Sequence, residues 1–421
     1  MADPEHRFYR AARVANQATD DWLPDHAVAV SGGKIIDVLP AADAPAQATV
    51  DLGNVSLMPG LVEGHTHIPC PPRVDAFDII SVEPNEPALM RAAHAVGLAL
   101  RSGITTMRDL GSKNEVVFAV RDAIASGVIP GPRLLASGAP ITRTMDHCWF
   151  WGGEADSPEA VRAMARDHVD QGADVLKVMA SGGNFTPTSN PRDRQYPPET
   201  IGEIVEAGES TGIEVAAHTH AAEGIRAAVE GEVRHLIHCR WLSANPEEGF
   251  KYEPELAQRI ADEGIWVNPT IGLGLLAAEA RERGEAAPRR NPNLQGPSPR
   301  QQGLEILRDM HNRGVRFTSG LDMGMAYADF NRAPAEAWAF VQEIGLSEWH
   351  ALRIMTCDTA DAIGVGDQVG RIQPGFDADL VAFAGDPAIN IRDLDQPVFV
   401  LQRGEVVIGG PSLPHQVRDR L

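Results

Sequence analysis

Two histidines set two positions apart carry the first chemical signal. They are His65 and His67, closing the run Leu57-Met-Pro-Gly-Leu-Val-Glu-Gly-His-Thr-His67. An apolar segment that reads as a short strand ends there, and side chains at i and i+2 of a strand share a face. Both imidazoles can therefore reach one ion without distorting the backbone. Imidazole is a common nitrogen ligand for zinc and similar divalent metals. Taken alone, the pair also fits two polar residues closing a strand.

Five more groups stand at or just past the ends of strand-like runs. Lys177, in Asp174-Val-Leu-Lys-Val-Met179, is the one charge in an apolar run and shares a face with Val175 and Met179. A lysine turned into an interior must be paired with a carboxylate, modified or neutral, and a Schiff-base role is a further reading. His218 and His220, in Val215-Ala-Ala-His-Thr-His220, share one face. His235 and His238 do not, and His238, at the strand end, is the better candidate to face inward. Asp322, closing Thr318-Ser-Gly-Leu-Asp322, can bind a metal and accept the proton of its water, or simply cap a following helix.

Positioning these groups takes an alternating fold. The strand-like runs are Leu57–Val62, Ile104–Met107, Arg133–Ala136, Val175–Met179, Glu214–Ala217, His235–His238, Trp266–Asn268 and Arg316–Thr318. Amphipathic stretches such as Glu159–Gln171, Glu199–Thr211, Glu223–Glu230, Glu253–Glu263 and Pro299–Arg313 fall between them. This α/β alternation predicts a parallel (β/α)8 TIM barrel over residues 57–364, with reactive groups at the C-terminal ends of its strands. Hairpin-like runs at both ends (Ala27–Val30 with Lys34–Val38, then Asp379–Phe383, Val398–Leu401 and Val406–Ile408) predict a small β-sandwich. It would be assembled from residues 1–56 and 365–421. Pro69–Pro87 and Gly272–Pro299 resist the pattern and are lid candidates.

Composition narrows the partners. The chain has 421 residues, 43% hydrophobic and 23% charged, with a net charge of −21 and no basic block. Nucleic acid and anionic membrane surfaces are poor partners for such a chain. No stretch approaches the roughly 20 apolar residues that span a bilayer, and the polar start argues against a signal peptide. Cys70, Cys148, Cys239 and Cys357 lie far apart, as expected of reduced thiols in a cytoplasm. The expected partner is a small-molecule substrate, and the expected assembly a homo-oligomer of unspecified size.

Longer motifs carry a family resemblance. Besides Met58–His67 they are Gly103-Ile-Thr-Thr-Met-Arg-Asp-Leu-Gly111, Gly172-Ala-Asp-Val-Leu-Lys-Val-Met-Ala-Ser-Gly-Gly183 and Ala217-His-Thr-His-Ala-Ala-Glu-Gly224. Ser319-Gly-Leu-Asp322, Gly370-Arg-Ile-Gln-Pro-Gly-Phe-Asp-Ala-Asp-Leu-Val381 and Gly385-Asp-Pro387 complete the set. The chain resembles the amidohydrolase superfamily, in the branch of imidazolonepropionase-like hydrolases and metal-dependent dipeptidases. That resemblance implies a binuclear centre of two divalent ions, zinc by default. His65, His67 and Asp322 would hold the deeper ion, and His218 and His238 the more exposed one. Lys177, carboxylated by CO2, would bridge them, with His220 beside them or facing substrate.

The chemistry so implied is hydrolysis of an amide-type C–N bond in a dipeptide, N-acyl amino acid, carboxamide or carbamate. A metal-bridging hydroxide would attack, and Asp322 would carry its proton to the departing nitrogen. His147, after the third strand, sits where relatives often carry a substrate-contacting histidine. Trp149, Phe150 and Trp151 could form an apolar wall, and Arg192 and Arg194 could clamp a substrate carboxylate. A mononuclear deaminase or cyclic-amide hydrolase of the same superfamily would usually lack Lys177. A non-catalytic scaffold would have lost ligands, and a lysine-based aldolase would not need clustered histidines.

Overall fold

The computed structural model describes residues 6–409. The chain begins with β1 (Arg7–Asn16), β2 (Asp21–Ser31), β3 (Lys34–Pro40), β4 (Thr49–Asp51) and β5 (Ser56–Pro59). The next eight strands are β6 (Leu61–Thr66), β7 (Ile104–Asp109), β8 (Arg133–Ala136), β9 (Leu176–Met179), β10 (Val215–His218), β11 (His235–Ile237), β12 (Trp266–Asn268) and β13 (Arg316–Phe317). Then come β14 (Leu380–Phe383), β15 (Pro397–Gln402) and β16 (Glu405–Ile408).

Both ends of the chain build one mixed sheet, ordered β16-β15-β14-β5-β1-β2-β3 with β4 beside β1. Alternate residues of β1, β2, β14 and β15, among them Tyr9, Val28, Leu380 and Phe399, bury one face of it. The middle of the chain is different. β6, β7 and β8 form one parallel sheet, and β9 through β13 form another. Each strand returns through a helical crossover, as parallel pairing demands. The helix Pro198–Glu209, for example, buries Ile201, Ile204 and Val205 and connects β9 with β10.

The two parallel sheets meet at both edges. Ile141 N donates to the carbonyl of Lys177 at 2.8 Å and Met179 N to that of Ile141 at 2.9 Å. At the other seam His67 N donates to the carbonyl of Met323 at 2.8 Å and Met323 N to that of His65 at 3.2 Å. Among the described residues this is a barrel-like α/β arrangement of eight parallel strands, with its reactive side chains at one end.

One predicted strand is corrected. The run Leu57–Val62 is two strands, because the chain changes sheets at Gly60. Gly60 N bonds to the carbonyl of Asp379 in the mixed sheet, while Leu61 N bonds to that of Gly103 in the parallel one. A Cβ at Gly60 would lie 2.0 Å from the Thr105 hydroxyl, so only glycine makes the crossing. The segments that resisted the strand pattern carry helices, Ala76–Ile80 in one and most of Ile271–Glu282 in the other. No helix among the described residues is long and apolar enough to cross a membrane.

Candidate active site

The ends of β6, β9, β10, β11 and β13 deliver His65, His67, Lys177, His218, His220, His238 and Asp322 to one cavity of about 660 Å³. All seven side chains are buried. The approach of β6 to the segment after β13 needs Gly64, where a Cβ would lie 2.6 Å from the carbonyl of Ser319.

Hydrogen bonds fix which ring nitrogens face inward. His67 Nδ1 is 2.8 Å from the carbonyl of Gly111, so it must carry the proton. His65 Nδ1 is 3.2 Å from Asn268 Oδ1. The Asn268 amide nitrogen donates to the carbonyls of Thr318 and Gly320, which leaves its oxygen as the acceptor for His65. Both rings therefore turn Nε2 inward, at 3.5 Å (His65) and 3.2 Å (His67) from Asp322 Oδ1. Three atoms that can each offer a lone pair converge there, and against the effect of burial the contact with Asp322 raises the His67 pKa, which shows their demand for a proton or a metal ion between them. That is an unfavourable arrangement in a buried site unless a cation sits among them.

The remaining donors extend the cluster. Ligand atoms of His65, His238 and Asp322 lie within 4.8 Å of one another, as do those of His218, His220 and His238. His238 belongs to both groups, and its Nδ1 is 2.8 Å from Thr270 Oγ1. The Nζ of Lys177, Oδ1 of Asp322 and Nδ1 of His220 have no hydrogen-bond partner among the described residues. Either of the two groups could hold a divalent metal ion, and His220 stands among the ligand candidates.

Burial sets the charge states. It pushes His65, His218 and His220 well below the ordinary histidine range, and His147 and His238 down to about 3, so these imidazoles are neutral and free to ligate. Burial also pulls Lys177 down to about 7, against the attraction of Asp322. For Asp322 burial acts upward, yet His65, His67 and His238 together hold it well below the usual carboxylate range.

His147 lines the cavity with its ring centre 4.5 Å from that of His218. Of the three aromatic residues beside it, Trp151 faces the cavity and stacks on His67 at 5.2 Å. Phe150 packs edge-on against Phe77, which does line the cavity. The expected arginine clamp is not there. Arg192 is 1% exposed and donates to the carbonyls of Ser243, Gly249, Gln295 and Pro297 at 2.7–3.2 Å. Arg194 is exposed and also outside the cavity lining. Sequence reasoning passed over Asn268, Thr270 and Arg240. The signal for the first two was available, in polar residues following the apolar end of β12.

A barrel-like fold with buried imidazoles and a carboxylate at its strand ends defines a hydrolase of the metal-dependent type. The chain matches the Amidohydrolase family over residues 56–410 and belongs to it. It is 26% identical over 395 residues to an ochratoxinase of Aspergillus niger, covering 85% of this chain and 76% of that one. A prolidase crystallised with N-methylphosphonate-L-proline superposes with a TM-score of 0.82 at 26% identity, covering 96% of this chain and all of the other. A Xaa-Pro dipeptidase structure shares the fold at a TM-score of 0.84 and 24% identity, with coverage of 96% and 100%.

Proposed function

We propose that this chain hydrolyses an amide-type C–N bond joining an acyl group to an amino acid, as in a dipeptide or N-acyl amino acid, with two divalent ions at the site. His65, His67 and Asp322 would hold one ion, and His218 and His238, with His220 beside them, the other. Lys177 as its carbamate would bridge them, which converts a costly buried amine into an anionic oxygen ligand. The convergence of the His65 and His67 Nε2 atoms on Asp322 Oδ1 carries this reading. The barrel would close as one unit from Leu61 to residue 364, with residues 6–59 and 365–409 forming a sandwich beside it, and residues 1–5 and 410–421 lie outside the described residues.

Bound divalent cations supply Lewis acidity for the scissile carbonyl and acidify the attacking water. The chain supplies the rest. Asp322 accepts the proton of the water as its oxygen bonds to the carbonyl carbon. It passes that proton to the nitrogen as the C–N bond breaks, leaving an acid and a free amine. Neutral His147 stands where it can hydrogen-bond substrate. Trp151, Phe77 and Phe185 wall off water and accept an apolar acyl group. The proline derivative held by the prolidase neighbour supports an amino-acid leaving group.

The test joins metal content to turnover. Emission spectroscopy should find about two divalent ions per chain. Release of amino acid from a panel of dipeptides and N-acyl amino acids should vanish after chelation and return with zinc. A chain that retains no divalent ion, or that cleaves equally well after chelation, overturns the reading.

A further inference from the structure

Arg240 is a partly buried guanidinium in the cavity wall with no hydrogen bond, ion pair or aromatic partner for its side chain among the described residues. The other arginines of that wall are engaged. Arg73 bonds Asp75, Arg289 faces Asp78 at 3.7 Å, Arg290 donates to the carbonyl of Leu294, and Arg300 pairs with Glu343. In a chain carrying 58 acidic residues, a guanidinium left without a carboxylate beside a reactive centre stands out.

Its backbone is held in place. His238, Cys239 and Trp241, on either side of it, have φ of 69°, 49° and 58°, a run of left-handed residues that ordinary side chains seldom adopt. Hydrogen bonds from Arg240 N to the carbonyl of Thr219 (3.2 Å) and from Leu242 N to that of His220 (2.8 Å) tie the segment to the end of β10. Trp241 is fully buried and donates Nε1 to Met310 Sδ at 3.2 Å. The strained turn thus places Arg240 two residues from His238 and fixes its root.

We propose that Arg240 seats the free carboxylate of the substrate's amino-acid half, so that the preferred substrates are acidic at that end. This rests on the hydrolase reading above. The cavity has two apolar walls in separate packing clusters, one with Trp151, Phe77 and Phe185, the other with Phe250, Ile271 and Leu304. The first takes the acyl group. The second takes the amino-acid side chain, because Lys251 N, next to Phe250, bonds to the carbonyl of Trp241, next to Arg240, at 2.8 Å. Arginine suits the task because its fork can hold both carboxylate oxygens at once.

The experiment compares N-benzoyl-L-phenylalanine with its C-terminal amide, following benzoate release, and L-phenylalanine with L-phenylalaninamide, following binding by calorimetry. The metal-loaded parent should favour the free acid in both by about tenfold to a hundredfold. Arg240→Met should bring both ratios close to one, and Arg240→Lys should restore part of the preference, with unchanged circular dichroism in each. An acid preference that survives Arg240→Met, or no preference in the parent, overturns the proposal. Should neither benzoyl compound be cleaved while phenylalanine binds in an Arg240-dependent way, the carboxylate seat stands and the hydrolase reading fails.

Discussion

Asn268 offers its side-chain oxygen to Nδ1 of His65 at 3.2 Å, and this one contact decides which face of the imidazole is a donor and which a lone pair. The asparagine is locked, because its amide nitrogen is committed to two carbonyls and a Cβ at the neighbouring Gly320 would lie 2.6 Å from its oxygen. Asn268→Leu keeps the volume but lets the ring rotate and change tautomer. Metal affinity, measured by chelator competition, should fall about tenfold to a hundredfold while the fold persists.

Lys177 is 2% exposed, without a hydrogen-bond partner among the described residues, and burial draws its pKa down to about 7. Near neutral pH a large share of it is the free amine, the form that reacts with CO2. Lys177→Ala should lose bound metal and turnover together. Lys177→Met should melt no lower than the parent when both are metal-free, since the amine has nothing to lose. A Lys177→Ala enzyme with full metal content and normal rates would remove the bridge.

Arg192 tests the difference between an architectural and a recognition arginine. Its guanidinium holds four carbonyls from segments 51 to 105 residues away, so Arg192→Met strands them in the interior. Hydrogen bonds to a charged group contribute about 1.5–3 kcal/mol each, and the variant should lose at least about 3 kcal/mol in urea unfolding. Its preference between acid and amide substrates, measured below the unfolding transition, should not change.

Asp379 provides a pH signature away from the site. Burial lifts its pKa to about 6, and the bond from Arg403 N, which acts downward, does not offset it. The folded state therefore binds its proton more tightly than the unfolded one, and stability declines as pH rises from about 4 to about 6, then levels. Two units correspond to about 3 kcal/mol. Asp379→Asn should melt higher than the parent at pH 7.5 and at the same temperature near pH 4.

The parallel strands and their reactive ends were legible because each motif is local. Two imidazoles at i and i+2, or a lone lysine in an apolar run, declare themselves within a few residues. The bounds of β8 and β12 agree with the sequence reading residue for residue. What escaped depends on distant partners. Nothing near Arg192 indicates that its acceptors lie beyond residue 240, and nothing near Arg240 indicates that it has none. Gly60 looked like the middle of a strand because the run is apolar on both sides, yet the steric limit comes from Thr105. The helices between Pro334 and Ala362 contain two π-turns, at Phe340–Ile344 and Ile354–Asp358, which break the 3.6-residue rhythm that reveals a helix.

The mixed sheet has a consequence for synthesis. Leu57 and Met58 of β5 pair with Ala382 and Val381 of β14, strands separated by the entire parallel region. On the ribosome the first of these is exposed long before the second is translated, leaving an apolar edge open on the nascent chain. A polypeptide halted before Leu380 would keep that edge, so release of the last strands, rather than completion of the catalytic rim, is the step that protects the newborn protein from aggregation.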